Sequence, residues 1–241
     1  MMNDFSLYCA AMFLGEIIFI LPFILLSPQR QYRYIILLFA ILLGDIIVTV
    51  SPVHLSLHIG HWNWIGKTLA LLFSIILIYV LKLSPNAVGL RLPQTARQWR
   101  DTALGIMVLM VYMSVIVFVS GDPSSPNPLE NWLFEATLPG IDEELFFRGV
   151  AIVVTSQAFP QLRFNIPQWV APFTITTGMF ALFHLFSISH GHVSFNWLST
   201  LAGVLPISIG LYVIRYRTGS VFSGMVAHNM ANLTNFFLTT S

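Results

Sequence analysis

The composition of this 241-residue chain excludes a soluble globular protein. Hydrophobic residues make up 56% of the chain, charged residues only 9%, and the mean hydropathy is +0.78. Soluble domains carry about 25% charged residues, so this chain has too few to cover a water-facing surface. A net charge of +1 without any basic stretch argues against nucleic acid as a partner. The single cysteine, Cys9, excludes an intramolecular disulfide and any CxxC metal site.

Apolar segments recur along the whole sequence. A membrane-spanning helix needs about 20 mostly apolar residues. Eight stretches meet this requirement, at residues 6–27, 34–52, 64–83, 102–120, 141–159, 169–188, 195–213 and 219–239. The connections are short and contain no long linker or internal repeat. We therefore predict an all-α, polytopic bundle of about eight transmembrane helices in one integral-membrane domain, residues 1–241, surrounded by the lipid bilayer.

The positive residues set the expected orientation of this bundle. In an eight-helix arrangement, nine of the eleven lysines and arginines fall on one side, and they are Arg30, Arg33, Lys82, Arg91, Arg97, Arg100, Arg163, Arg215 and Arg217. The positive-inside rule places that side in the cytoplasm, so both termini are predicted to be extracytoplasmic. The opposite side holds only Lys67. We expect the plasma membrane of a bacterium or an archaeon.

The predicted fifth helix carries a dense charged motif, from Asp142 through Glu143 and Glu144 to Arg148. A charge at membrane depth costs at least about 2.5–3.5 kcal/mol, and such residues typically mark functional sites. On a helix, Glu144 and Arg148 are four residues apart and can pair on one face. Glu143 lies about 100° round the axis and is predicted to face a cavity. One glutamate would then be held by the arginine and the other would be left for chemistry.

Two further polar clusters lie in the predicted sixth and eighth helices. His184 follows Phe180 by one turn, and His228 precedes Asn232 by one turn. A single buried histidine is more often a packing residue than a functional one. Charged and imidazole groups on three spanning helices, however, can meet in one cavity. The sequence therefore predicts a site formed by Glu143, His184, His228 and Asn232.

These residues form three motifs in the order Glu-Glu-x-x-x-Arg, Phe-x-x-x-His and His-x-x-x-Asn. The motif residues are Glu143, Glu144, Arg148, Phe180, His184, His228 and Asn232. In type and order they resemble the motifs of the CPBP group (CAAX proteases and bacteriocin-processing enzymes, also called the Abi family). This group consists of intramembrane proteases and includes the Ras-converting CAAX endopeptidases. The resemblance covers about residues 139–235, which would form the catalytic core.

The resemblance implies a role for each motif residue. Glu143 would be the general base that activates the attacking water, with His184 assisting. His228 and Asn232 would stabilise the oxyanion of the tetrahedral intermediate, since donors aimed at a developing oxyanion gain strength in a low dielectric. Supporting residues would hold the motifs in place, and they are Glu144, Arg148 and Phe180.

The cofactor requirement has two readings. Glu143, His184 and His228 would also form a His₂Glu set with an open water position, as in known zinc hydrolases. The same residues serve a metal-free, glutamate-dependent mechanism, which we favour slightly. The prediction is therefore either no required cofactor or one divalent metal ion, with zinc as the candidate.

The sequence thus predicts an intramembrane endopeptidase, of glutamate-dependent or metallo type. Its substrate would be a membrane-anchored or exported protein, cut near its membrane end as in CAAX, leader or sorting-tail processing. The positions of Glu143 and His184 near helix ends predict a cavity in the outer half of the bilayer. One alternative is a non-catalytic membrane binding or immunity factor. An ion-coupled transporter is a weaker alternative, because the chain lacks the internal repeat expected of many transporters. The sequence leaves the oligomeric state open.

Overall fold

The structure, a computed structural model, describes residues 4–57, 59–120, 128–189 and 192–240. Within these ranges the chain is almost entirely helical, with two π-helical segments and one short hairpin. The elements are α1 (Asp4–Leu26), α2 (Tyr32–His54), α3 (Trp64–Val80), α4 (Pro85–Val88), α5 (Ala96–Ser120), α6 (Pro128–Glu135), α7 (Leu138–Glu143), π1 (Glu144–Ala151), α8 (Ile152–Ala158), α9 (Val170–Leu185), β1 (Phe186–Ser189), β2 (His192–Phe195), π2 (Ser199–Val204), α10 (Leu205–Thr218) and α11 (Val221–Thr240).

Several of these helices are long and apolar enough to cross a membrane. In the described ranges, four helical stretches meet this criterion: α1, α2, α5 and the continuous π2–α10 stretch from Ser199 to Thr218. Two shorter apolar helices, α3 and α9, accompany them. The predicted all-α, polytopic membrane fold is thereby confirmed. The number of membrane crossings, predicted as eight, stays a prediction.

The charged motif lies on a helix that changes its winding. Elements α7, π1 and α8 follow one another without a break from Leu138 to Ala158, and Pro139 occupies the first turn, where its missing N–H is tolerated. Glu144 to Ala151 form a π-helix, and all eight of these residues are buried. The predicted plain helix 141–159 is wrong in this respect, because apolar spacing does not distinguish a π-turn from an α-turn. π-Helical turns occur frequently at functional sites.

The π1 segment lies at the centre of the bundle. It packs against α2, α3, α9, α10 and α11. Its apolar side chains, including Phe146 and Val150, join a large core that also contains Leu38 of α2 and Met179 of α9. A second core, with Leu109, Leu211 and Ala227, joins α5, α10 and α11. The charged side chains of the motif are therefore enclosed by helices from both halves of the chain.

The segment after α9 differs from the sequence prediction. The predicted helix 169–188 ends at Leu185, and the predicted helix from 195 begins only at Ser199. Between them β1 and β2 form an antiparallel hairpin in which Phe186 pairs with Phe195 and Ile188 with Val193. Apolar residues alternate with serine in β1, the two-residue period of a strand. The hairpin begins two residues after His184.

Arginines fix the end of the bundle that carries the basic loops. Arg215 donates from Nε to the carbonyl oxygen of Arg148 at 3.0 Å and from Nη2 to that of Ala87 at 2.8 Å. Gly89 has a positive φ of 80°, and a Cβ there would collide with the Arg215 guanidinium. Arg217 pairs with the buried Asp101 of α5 at 3.0 Å. These contacts tie α4, α5 and α10 to the helix that carries the motif.

Candidate active site

Glu144 and Arg148 form a fully enclosed ion pair. Arg148 Nη1 lies 3.1 Å from Glu144 Oε1, and both side chains have 0% exposure. Arg148 Nη2 also donates to Ser208, at 2.7 Å to Oγ and at 3.2 Å to the carbonyl oxygen. Burying two charges is costly unless further hydrogen bonds satisfy them. Ser208 supplies two such bonds to Nη2, and they connect π1 to α10.

His228 lies between the two glutamates of the motif. Its Nδ1 is 3.1 Å from Glu144 Oε1, and its Nε2 is 3.7 Å from Glu143 Oε2. The imidazole is buried. A carboxylate that accepts a hydrogen bond from Nδ1 fixes the tautomer and the orientation of the ring. Glu144 therefore directs Nε2 of His228 towards Glu143.

The aromatic ring of Phe180 contacts the rings of both histidines. Its ring centroid lies 5.0 Å from that of His184 and 5.8 Å from that of His228. The Arg148 guanidinium lies over the same ring at 4.4 Å, close enough for a cation–π interaction. The ring thus links the enclosed ion pair to both histidines.

His184 occupies the last turn of α9 and is exposed at the surface of the chain. Its Nδ1 lies 2.9 Å from the carbonyl oxygen of Phe180. A carbonyl oxygen only accepts hydrogen bonds, so Nδ1 carries the proton and Nε2 keeps its lone pair. His184 lies within electrostatic range of Glu143, Lys67 and His228. Its free nitrogen is therefore available beside the acidic motif.

Lys67 is the site residue that the sequence analysis missed. Its ammonium group lies 3.0 Å from Asp142 Oδ2 and also pairs closely with Glu143 Oε1. Glu143, predicted to face a cavity and to be left for chemistry, is thus contacted by a lysine from α3, and its catalytic role stays a prediction. The available signal was orientation: in the sequence analysis Lys67 was the only basic residue, apart from the motif arginine, away from the cytoplasmic side.

The two asparagines of α11 have different partners. Asn232, predicted to contact the oxyanion, donates from Nδ2 to Glu135 Oε2 at 2.8 Å. Asn229 accepts from the backbone N–H of Gly140 at 2.9 Å and donates to the carbonyl oxygens of Ala136 and Thr137. A Cβ at Gly140 would collide with Asn229 Oδ1. Asn229 therefore fixes the start of the helix that carries the motif, a role that sequence reasoning missed.

The predicted metal ligands do not form a ligand set in this arrangement. Among residues 4–57, 59–120, 128–189 and 192–240, no group of three or more His, Cys, Asp or Glu side chains is placed to hold one metal ion. Glu143 contacts an ammonium group, and His228 directs Nδ1 to Glu144. A cationic side chain thus already occupies the position beside Glu143. We derive no step through a metal, and the metal requirement stays a prediction.

The charges of the cluster are nearly balanced. Three carboxylates, those of Asp142, Glu143 and Glu144, contact two permanent cations, those of Lys67 and Arg148. The two cations thus offset most of the negative charge that the motif places in the interior, where charges are stable only when they are paired.

The fold and this site define a class of protein: a polytopic helical membrane protein with buried carboxylates and a buried imidazole at its centre. Residues 125–234 match the family model described as Type II CAAX prenyl endopeptidase Rce1-like. The match includes every predicted site residue and confirms the resemblance to the CPBP group. It supports a CAAX-type intramembrane endopeptidase acting on a membrane-anchored substrate. No curated protein and no solved structure matched the chain.

Proposed function

We propose that the protein hydrolyses a peptide bond near the membrane end of a membrane-anchored or exported protein, using a water activated by Glu143. One observation carries the proposal. Glu143 Oε2 lies 3.7 Å from His228 Nε2, and the Glu143 side chain remains 12% exposed. A general base must lie within hydrogen-bond reach of the proton that it takes, directly or through one water. Because Glu143 is partly exposed, a water can approach Oε2 to such a distance.

In the proposed reaction, Glu143 removes a proton from water while the water oxygen attacks the carbonyl carbon. The carbonyl double bond opens to an oxyanion. When the carbon–nitrogen bond then breaks, the proton passes from Glu143 to the leaving amine, which regenerates the carboxylate. His184 assists by accepting a hydrogen bond from the water at Nε2, the nitrogen that its contact with Phe180 leaves free. The one proton that Glu143 takes from the water is the proton that it gives to the leaving amine, so no other proton donor or acceptor is needed.

His228 and Asn232 are the proposed donors to the oxyanion. His228 would donate from Nε2 in its doubly protonated form, in which Nδ1 still donates to Glu144. Asn232 shares its Nδ2 with Glu135, and an amide nitrogen has two protons. One proton can therefore remain on Glu135 while the other reaches the oxyanion. Glu144, Arg148 and Phe180 hold both histidines in place.

We propose that the substrate enters from the extracytoplasmic half of the bilayer. Lys67 lies in the first turn of α3, Glu143 lies near the start of the continuous α7–π1–α8 helix, and His184 lies in the last turn of α9. With the predicted orientation, these parts of the three helices lie away from the arginine-rich end of the bundle. His184→Cys, in a Cys9→Ser background, should then react with an impermeant maleimide added outside intact cells. Reaction only after opening the cytoplasmic side would contradict this orientation.

The proposed activity is tested with purified protein in detergent and a library of membrane-anchored peptides. Cleavage that persists after chelation and is absent in Glu143→Ala supports the glutamate-dependent mechanism. Cleavage that is lost on chelation and restored by zinc supports a metal at Glu143, His184 and His228. The exposed Lys82→Met variant serves as the control for purification and folding.

A binding or immunity function is the second candidate. It is favoured by the contact of Glu143 with Lys67, since an ion-paired carboxylate is also typical of a purely structural cluster. Absence of cleavage under every condition, from protein that unfolds cooperatively, would support this candidate over the protease.

A further inference from the structure

Lys67 reaches the acidic motif from a part of the chain that the family match does not include. The match begins at residue 125, whereas Lys67 lies in the first turn of α3. Its side chain is only 15% exposed, and those of Asp142 and Glu143 are 3% and 12% exposed. The buried acidic cluster is thus completed by a cation from the N-terminal half.

The backbone around Lys67 is fixed on two sides. Asn63 caps α3 by accepting from the N–H of Gly66 at 3.0 Å, and it donates to the carbonyl oxygen of Thr49 in α2 at 2.7 Å. A Cβ at Gly66 would collide with that same carbonyl oxygen. The start of α3 is therefore held closely against α2.

The loop before α3 is held by α6. The indole of Trp62 stacks on Phe134 with centroids 4.9 Å apart, and Trp64 contacts the same ring edge-on at 5.0 Å. Glu130 accepts hydrogen bonds from the backbone N–H of His61 at 2.7 Å and from Trp64 Nε1 at 3.1 Å. With α2 on one side and α6 on the other, the ammonium group of Lys67 is held at a defined place.

We infer that Lys67 is a positioning residue that fixes the orientation of the Glu143 carboxylate and leaves Oε2 as the atom that takes the proton. Lys67 occupies Oε1, and Oε2 faces His228. The carboxylate cannot rotate about its χ3 without breaking one of these contacts. This inference rests on the proposed proteolytic function, in which Glu143 takes a proton from water.

The surroundings of Lys67 support a role in balancing charge. Adjacent carboxylates repel each other, and a buried carboxylate without a cation becomes protonated instead of remaining charged. Apart from Asp142 and Glu143, which contact Lys67 directly, the titratable groups within its electrostatic range come from four other elements. They are Tyr8 of α1, Asp45 of α2, Glu135 of α6 and His184 of α9. Without Lys67, the acidic groups among them would have no cation from α3.

The variants are designed to separate charge from packing. Lys67→Met keeps the length and volume of the side chain but removes the charge. Lys67→Arg keeps the charge. The chain has a single other lysine, Lys82, which is exposed, so Lys82→Met is the matched control. Glu143→Gln serves as the reference for the cleavage rate that remains when the general base is removed. Thermal unfolding in detergent checks that each variant is folded, and Lys67→Gln replaces Lys67→Met if the latter is not.

Cleavage of a membrane-anchored peptide is measured as kcat and KM. We expect Lys67→Met to lower kcat by about tenfold to a hundredfold, since misplacing a catalytic group by about 1 Å has an effect of that size. KM should change by less than about threefold, since Lys67 holds the base and contacts the substrate neither in the ground state nor in the transition state. Lys67→Arg should show at most half of the decrease in log kcat that Lys67→Met shows. A Lys67→Met enzyme with kcat within threefold of wild type, or with a change confined to KM, would overturn the inference.

A second measurement does not depend on cleavage. Infrared difference spectra report the carboxylate stretches of Glu143, which are identified by their absence in Glu143→Gln. We expect Lys67→Met to shift these stretches, because the contact of Lys67 with Oε1 is lost, and Lys67→Met/Glu143→Gln to lack them. Glu143 stretches that are the same in Lys67→Met and in wild type would overturn the inference.

The two proposals fail in different ways. If the wild type cleaves nothing, the proteolytic function fails, while the infrared comparison still tests Lys67. If the wild type cleaves, Glu143→Gln does not, and Lys67→Met remains fully active, the function stands and the role of Lys67 is wrong.

Discussion

Glu143 and Glu144 are neighbours in sequence, but their carboxylates are held in different ways. Glu144 pairs with Arg148 of the same helix, and neither side chain has any exposure. Glu143 pairs with Lys67 of a distant helix, and both side chains remain partly accessible. The local, enclosed pair is suited to scaffolding. The long-range, accessible pair is suited to chemistry, because a substrate or a water can approach it.

The largest effect expected from this difference concerns Arg148. Arg148→Met leaves Glu144 as an unpaired buried charge, and breaking a buried pair in this way costs about 3–5 kcal/mol. The variant should unfold at a clearly lower temperature in detergent and lose activity with its fold. Arg163→Met, at an exposed arginine, is the matched control. An Arg148→Met protein as stable as this control would show that the enclosed pair is not a scaffold.

Glu143→Gln should give the opposite pattern. The amide keeps the size of the side chain but removes the base, so kcat should fall by about 10²- to 10⁴-fold. Its melting temperature should fall much less than that of Arg148→Met. Unfolding scans and cleavage rates on the same preparations make the comparison. If Glu143→Gln retained wild-type kcat, the assignment of the base would be wrong.

Asn229 offers a smaller effect that sharpens the comparison. Asn229→Ala leaves the buried N–H of Gly140 without its acceptor, at a cost of about 1–3 kcal/mol. Because Gly140 precedes the motif directly, kcat should fall together with stability. Asn86→Ala, at an exposed asparagine, is the control for both measurements. An unchanged melting temperature would indicate that α7 is fixed by other contacts.

The smallest effect concerns Glu130 on α6, outside the membrane-spanning segments. Desolvation raises the pKa of Glu130, but hydrogen bonds from Trp64 Nε1 and the backbone N–H groups of His61 and Trp62 outweigh it and lower the pKa. A lowered pKa in the folded state contributes stability above the unfolded pKa, and this stability is lost as the pH falls through the folded value. The difference in melting temperature between wild type and Glu130→Gln should therefore be present at neutral pH and shrink on acidification. A difference that grows on acidification would contradict this sign.

Sequence reasoning succeeded where the signal is local. Apolar length identified the membrane helices, and spacing of four residues anticipated the contact between Glu144 and Arg148. The family motifs also lie within single helices, and residues 125–234 match the corresponding family model. These features depend on the periodicity of one helix, which a sequence displays directly.

The rest depends on contacts between distant segments. Lys67 and Glu143 are 76 residues apart, and no pattern within either helix indicates that they meet. Asn229 stands beside His228 in the motif, yet its partner is the backbone of Gly140, which carries no side-chain signal. Residues of the β1–β2 hairpin fall at the ends of two predicted helices, because they are apolar enough to extend a spanning segment. Apolar length alone does not separate strand from helix in so short a run.

The π-helical turn has a consequence for how the motif tolerates changes in length. A π-turn accommodates one residue more than an α-turn, so deleting a residue from Glu144–Ala151 would allow regular helix to continue through the segment. The flanking helices α7 and α8 would then keep nearly the same angular phase, because the π-turn absorbs its extra residue within one turn. A deletion within α8, where no extra residue is absorbed, would instead rotate the side chains on its two sides by about 100° relative to each other. The π-helical segment is thus a place where the motif helix can lose a residue and still direct Glu143 and the packing face of α8 to their present neighbours.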